Sequence, residues 1–402
     1  MKYVRVLLTL GLLVLITGCW DSIELNRRAV VSGVAMDIIP GKEERIKATL
    51  QVIVADEISG KTSRGGTPVS VYEGEGKTIF EAVRNTSRKV PRYLSLGHIS
   101  AIVISEDLAR HGIRDLLDFL ERDAQVRSTS LVFIARGQQA SDVMSVLTPL
   151  GKIPSGDLFQ KADAASKLLG YNYRVQIDDI IRGMQASGGG PVINGVEIEG
   201  NIEDASKSTN IQQVDTPSVL ALSGIAAFRK DKLVGWLDTE QSRGVTWANN
   251  HMKQTVLVTG CAKLKGNVSY SIIRSITKRK GDLGDPTHPK IHLDVRAQAN
   301  IRELDCSMDI TNADNLTKLQ HEVDQNIQQM IEASIKKAQR LHTDIFEFGD
   351  LLERENPKMW KKVRAQWGDL FPVTKITCEV HTVIRSAEMR NKSYHYKLDQ
   401  TK

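Results

Sequence analysis

The chain has 402 residues, 41% hydrophobic and 25% charged, the balance of a globular protein with enough material for two or three domains. Its 54 Lys and Arg against 48 Asp and Glu give a formal net charge of +6, too slight an excess to argue for a nucleic-acid partner. No apolar run after residue 19 approaches the roughly twenty residues that cross a bilayer, so everything beyond it is expected on one side of a membrane.

Lys2 and Arg5 precede an uncharged stretch from Val6 to Ile16, then the small residues Thr17 and Gly18, then Cys19. This is the three-part layout of a secretory signal peptide. Ile16-Thr17-Gly18-Cys19 resembles the bacterial lipobox, with Ile16 where Leu is more usual. That resemblance implies removal of residues 1–18 and attachment of diacylglycerol and an N-acyl chain to Cys19. Two or three acyl chains hold a protein on a bilayer where one does so only marginally.

Beyond Cys19, Ala29 to Ile38 and Ile46 to Val54 read as paired strands around Pro40-Gly41-Lys42, and Ser59 to Thr67 as an exposed loop. Thr78 is placed to cap a helix carrying Ile79, Phe80 and Val83, which should run to about Val90 and stop at Pro91. Ile99 to Ile104 and Leu131 to Ala135 fit buried strands, and Ile113 to Arg122 and Ala140 to Leu147 fit helices. The alternation predicts a mixed α+β domain over residues 19–195.

Ser187 to Pro191 and the polar stretch Asn201 to Asp215 suggest a linker or long excursion. Val219 to Phe228 and Lys232 to Leu237 flank a hairpin turn, and Thr255 to Leu264 and Val268 to Ile276 add strands. Together they predict a small antiparallel sheet in a middle β-rich domain, 196–284. Gly281 to Pro289 reads as a boundary, opening a C-terminal α+β domain at 285–402. There Ile291 to Ile301 alternates as a strand, residues 315–342 form a long helix with one apolar stripe, Pro357 starts another helix, and Ile376 to Ile384 makes a closing strand.

Candidate chemistry is sparse. Ala55 to Thr62 and Val71 to Thr78 each end in Gly-Lys-Thr as a phosphate-binding loop does, but both lack its leading glycine, and Glu73 and Glu75 would repel phosphate. His288 and His292 approach metal-ligand spacing without a ligand set to complete it, and read as surface or strand histidines. Cys261, Cys306 and Cys378 permit one bridge and a spare thiol, though their apolar surroundings favour buried free thiols. The basic cluster Arg274, Lys278, Arg279 and Lys280 reads as a solvated strand end or loop, with contact to anionic lipid headgroups as the alternative. No nucleophile elbow or zinc-protease helix occurs, so no enzyme, cofactor or metal is expected.

Gly18-Cys19-Trp20-Asp21 with Glu24-Leu25, Pro91 to His98, Leu116 to Asp123, Asp231 to Leu237, and Asp344 to Gly349 with Pro357, Trp360 and Trp367 resemble, in that order, the Ger(x)C lipoproteins. These are the C subunits of spore germinant receptors. The resemblance implies an elongated molecule of three α+β domains with largely antiparallel sheets. It also implies a lipoprotein on the outer face of the inner spore membrane, working with two integral membrane subunits, A and B, in a receptor for nutrients. It carries over one functional residue, Cys19. Trp20, Trp236 and Trp247 are candidates for contact surfaces, with core packing the competing reading for Trp236. Two alternatives are a tethered lipoprotein that captures the germinant itself and a cell-wall hydrolase.

Overall fold

The computed structural model describes Tyr3 and residues 24–39, 41–59, 66–186, 189–262 and 264–386; Cys19 and Trp20 lie outside the described residues. The fold is α+β, built on two mixed sheets. The first contains β1 (Arg28–Ile39), β2 (Lys42–Ile53), β3 (Val69–Gly76), β4 (Tyr93–Ser95), β5 (Ala101–Ser105), β6 (Leu131–Ala135), β7 (Val192–Gly200), β8 (Ser218–Arg229) and β9 (Lys232–Leu237). Its order is β3-β2-β1-β5-β6-β7-β8-β9, with β4 beside β1. The centre, β1-β5-β6-β7, is parallel, and antiparallel hairpins extend it at both ends.

A parallel sheet is covered on both faces, and its central strands therefore read as unbroken apolar runs. All five residues of β5 and of β6 are buried. Alternate side chains feed two separate cores. Ile102, Ile104, Val132 and Ile134 pack with the helices Ile79–Thr86 and Arg114–Arg122, whereas Val103 and Phe133 pack with Ala140–Ser145 and Pro154–Leu168.

Thr78 caps the first of these helices by accepting the Glu81 N–H, while Glu81 reaches back to the Lys77 N–H at 2.8 Å. That helix ends at Thr86 rather than near Val90, because successive turn bonds, Arg88 N–H to Asn85 O and Lys89 N–H to Thr86 O, take over before Pro91. Asn201 to Asp215 is no loose linker. It contains the short helices Ile202–Ala205 and Thr209–Gln212, held by buried Asn210, which donates to Leu147 O and Ser218 O and accepts the Ser218 N–H.

The second sheet, in the order β10-β11-β12-β13, contains β10 (Thr255–Cys261), β11 (Leu264–Asp282), β12 (Lys290–Leu304) and β13 (Lys375–Ser386). The middle segment therefore does not form a sheet of its own. Its first hairpin extends the large sheet because Ala226 and Phe228 belong to that core, and its second starts the small one. Nor is Gly281 to Pro289 a boundary in the sheet; it holds the turn between β11 and β12, which pair from Val268↔Leu304 to Asp282↔Lys290.

The helix Ala313–Arg340 crosses from β12 to the parallel β13, burying Leu319, Val323, Ile327, Ile331 and Ile335 on one stripe. Asn312 caps it by accepting the Asp314 N–H. Helix Thr239–Ala248 packs against it so closely that a Cβ on Gly244 would lie 2.2 Å from Met330 O.

Cys261 and Cys306 form a disulfide, contrary to the expectation of three free thiols. Sequence separation of 45 hides their proximity. Cys261 pairs with Leu264 on one side of β11, and Asp305 N–H bonds Asn267 O on the other, so the two cysteines meet across the start of that strand. Cys378 remains a buried free thiol, its pKa pushed up to about 12, chiefly by burial.

Candidate functional site

A cleft of about 790 Å³ lies between elements of the two sheets. One wall comes from the end of helix Pro154–Leu168, the segment 173–175 and helix Ile177–Gln185; the other comes from residues 249–253 and β11. The walls are tied together locally. Helix Thr239–Ala248 ends at Asn249, and the next residue, Asn250, takes a left-handed conformation (φ 58°) that Asn tolerates better than most residues. Its Oδ1 accepts the Thr277 N–H at 2.8 Å, fixing this corner to β11.

The rings of Tyr173 and His251 meet at 4.5 Å between centroids. Burial dominates both groups, raising the Tyr173 pKa and lowering that of His251. Arg279 points from β11 in the opposite sense to its neighbours Lys278 and Lys280, because successive strand residues face opposite sides. Its Nη2 donates to Phe346 O at 2.5 Å and Glu347 O at 3.3 Å, and its guanidinium sits 5.3 Å from the Phe348 ring centre. Burial lowers its pKa, with Asp344 and Glu347 pulling the other way.

Several remaining charges pair along one wall of the cleft: Lys167 with Asp163 at 2.6 Å, Arg174 with the same carboxylate at 3.9 Å, and Arg182 with Asp179. The Ser166 hydroxyl donates to Asp163 O, not to the His251 imidazole. The arrangement is polar, ion-paired and concave, and suits a small polar solute or a partner's polar segment.

Other sequence candidates stand elsewhere. Gly74 and Gly76 are in β3, where a Cβ would fall 2.2 Å from Ala82 O and 2.5 Å from Ala82 N, so they admit the neighbouring helix backbone rather than phosphate. His288 bonds Asp285 and Thr287, and His292 bonds Thr377. Among the described residues no group of three His, Cys, Asp or Glu is placed to hold a metal ion. Trp247 is fully buried in the core of the small sheet and its long helix and is no contact surface. Trp236 is partly buried, donates to Glu106 and lies 4.9 Å beneath the Arg136 guanidinium. Tyr173 and His251 were not legible as site residues; for Arg279 the signal was strand parity, which separates it from the lysines beside it.

Among the described residues no helix is long and apolar enough to cross a membrane. The fold is that of a two-sheet α+β protein with a polar cleft where elements of the two sheets meet. Residues 21–198 match the family described as "Spore germination protein N-terminal domain", and residues 223–388 match "Spore germination B3/ GerAC like, C-terminal". The chain is 30% identical over 393 residues to spore germination protein KC of Bacillus subtilis (strain 168), covering 96% of each chain. It is 23% identical to the putative spore germination protein YfkR of the same organism, covering 94% of each. A solved structure, "Crystal Structure of the GerBC protein", shares the fold with a TM-score of 0.54 at 21% identity, over 88% of this chain and 96% of that one. This chain belongs to the GerAC-like spore germination family, the germinant receptor C subunits.

Proposed function

We propose that the chain is the lipid-anchored, non-enzymatic C subunit of a nutrient germinant receptor, held at the outer face of the inner spore membrane through Cys19 and assembled there with the integral A and B subunits. The observation that carries this reading is the family match over both halves of the chain, 21–198 and 223–388. The lipobox-like Ile16-Thr17-Gly18-Cys19 supports the anchor. The Cys261–Cys306 bridge suits an exported protein, since disulfides persist in oxidising compartments. Tethering confines the chain to a thin layer and raises its effective concentration beside membrane partners without any added contact.

The test is Cys19→Ala in spores. The variant should leave the membrane fraction and lose the germination response while its circular dichroism stays normal. Full retention with normal germination would refute the reading. A second reading, direct capture of a polar solute, is favoured by the cleft lined by Tyr173, His251 and Arg279. Saturable binding of a nutrient by the isolated chain, lost in Arg279→Met, would support it.

A further inference from the structure

The second sheet has one covered face and one open face. Helix Ala313–Arg340 and its neighbours cover the first, and burial alternates cleanly along the strands, buried-exposed through all of β10. A bulge between Ile272 and Arg274 in β11 shifts the phase so that Arg274, Ile276, Lys278 and Lys280 all fall on the open side.

The register shows what surrounds them. Ile276 lies opposite Arg296, which lies beside His381; Arg274 lies opposite Gln298, which lies beside Val383. These six residues line a shallow depression of about 470 Å³. Two guanidiniums and an imidazole thus surround an aliphatic floor, with Ile276 43% and Val383 55% exposed. Val256 and Val258 of β10 extend the apolar surface at 49% and 53% exposure. Lys375 and Arg385 add positive charge on β13. Asp294, Glu303 and Glu379 oppose it, and Asp294 is already paired with Arg296 at 3.3 Å. Arg274, Lys278 and Lys280 make no ion pair among the described residues.

We propose that this open face is a docking surface for an anionic lipid bilayer, the aliphatic side chains entering the headgroup layer and the basic ones meeting lipid phosphates. Complementarity of charge selects the occupant, because a mixed basic and aliphatic face matches a layer that is anionic above and apolar below. An acidic protein with an apolar patch is the competing occupant, and vesicle binding separates the two. The inference rests on the membrane location proposed above and adds an orientation to it.

The chain from residue 19 onward with Cys19→Ser keeps residues 24–386 and lacks the anchor, so vesicle binding by it reports on the face alone. It should bind vesicles of phosphatidylglycerol and phosphatidylcholine, weaken with salt, and ignore pure phosphatidylcholine. Arg274→Glu/Lys278→Glu/Lys280→Glu should lower partitioning by about 100-fold, on the order of fivefold per basic residue lost from an anionic surface. Lys361→Glu/Lys362→Glu, on an exposed stretch of helix Pro357–Val363, should change it little. Equal binding to neutral vesicles, no binding, or binding untouched by the triple reversal would overturn the proposal. Capture by an acidic protein without vesicle binding would overturn it as well. An unmodified Cys19 in spores would count against the anchor and leave this result standing.

Discussion

The indole Nε1–H of Trp367 donates to Asp344 Oδ2 at 3.0 Å, inside a fully buried pocket. The same carboxylate accepts the Gly349 N–H at 2.8 Å and the Phe346 N–H at 3.2 Å, closing the turn in which Glu347 adopts φ 57°. Burial raises the Asp344 pKa while these donors oppose the rise. Asp344→Ala would strand three buried donors at roughly 1–3 kcal/mol each, so a loss of about 3 kcal/mol or more is expected in urea unfolding. Asp344→Asn, which keeps one acceptor oxygen, should cost less. A change below about 1 kcal/mol in the alanine variant would show that the turn is held by other contacts.

His251 makes stability fall with acid. Its folded pKa lies below the ordinary 6.5 because burial disfavours the imidazolium. The unfolded chain therefore takes the proton first, and stability present above pH 6.5 is lost as pH falls from there through the folded value. Urea midpoints at pH 7.5 and 5.5 should differ less in His251→Gln than in the parent. An identical difference would remove His251 as a source of the pH dependence.

The Cys261–Cys306 bridge closes a segment of 45 residues around β11 and β12. Loop-closure entropy assigns such a bridge about 4 kcal/mol, and strain or residual structure usually trims this to 2–4 kcal/mol. Cys261→Ala/Cys306→Ala should lose that much stability, and the parent treated with reductant should match it. Cys378, being buried, should resist alkylation until the chain unfolds. Labelling of two further thiols in non-reduced, denatured protein would contradict the pairing.

Gly244 decides how closely two helices approach. Alanine favours a helix by about 1 kcal/mol over glycine. At 2.2 Å from Met330 O, however, its methyl group meets backbone that cannot rotate away. Overpacking costs typically 1–3 kcal/mol, so Gly244→Ala is expected to be destabilising, with a lower melting temperature. A stabilised variant would mean that helix Thr239–Ala248 shifts freely over Ala313–Arg340.

Strong periodicity made much of the fold legible. The long helix, the strand Leu131–Ala135, the cap at Thr78 and the proline start at Pro357 stand where their residues point. Helices Pro154–Leu168 and Thr239–Ala248 were missed because glycine, serine and threonine dilute their apolar faces; those small residues permit close packing that a hydrophobic count does not register. Helix Ile177–Gln185 was missed although Ile177, Ile180, Ile181 and Met184 recur at helical spacing. Assignment of hairpins to sheets also escaped, since alternation within a strand is silent about its neighbour. The cleft depends on Tyr173, His251 and Arg279, which are far apart in sequence and meet only after both sheets have formed.

Because β13 pairs in parallel with β12 across the 28-residue helix between them, the small sheet is finished by the last described segment of the chain. During synthesis β12 waits with a bare edge, and the stripe Leu319 to Ala338 waits without the strand it covers. A message cut short before codon 375 would thus yield a sticky, aggregation-prone product rather than a merely shortened subunit.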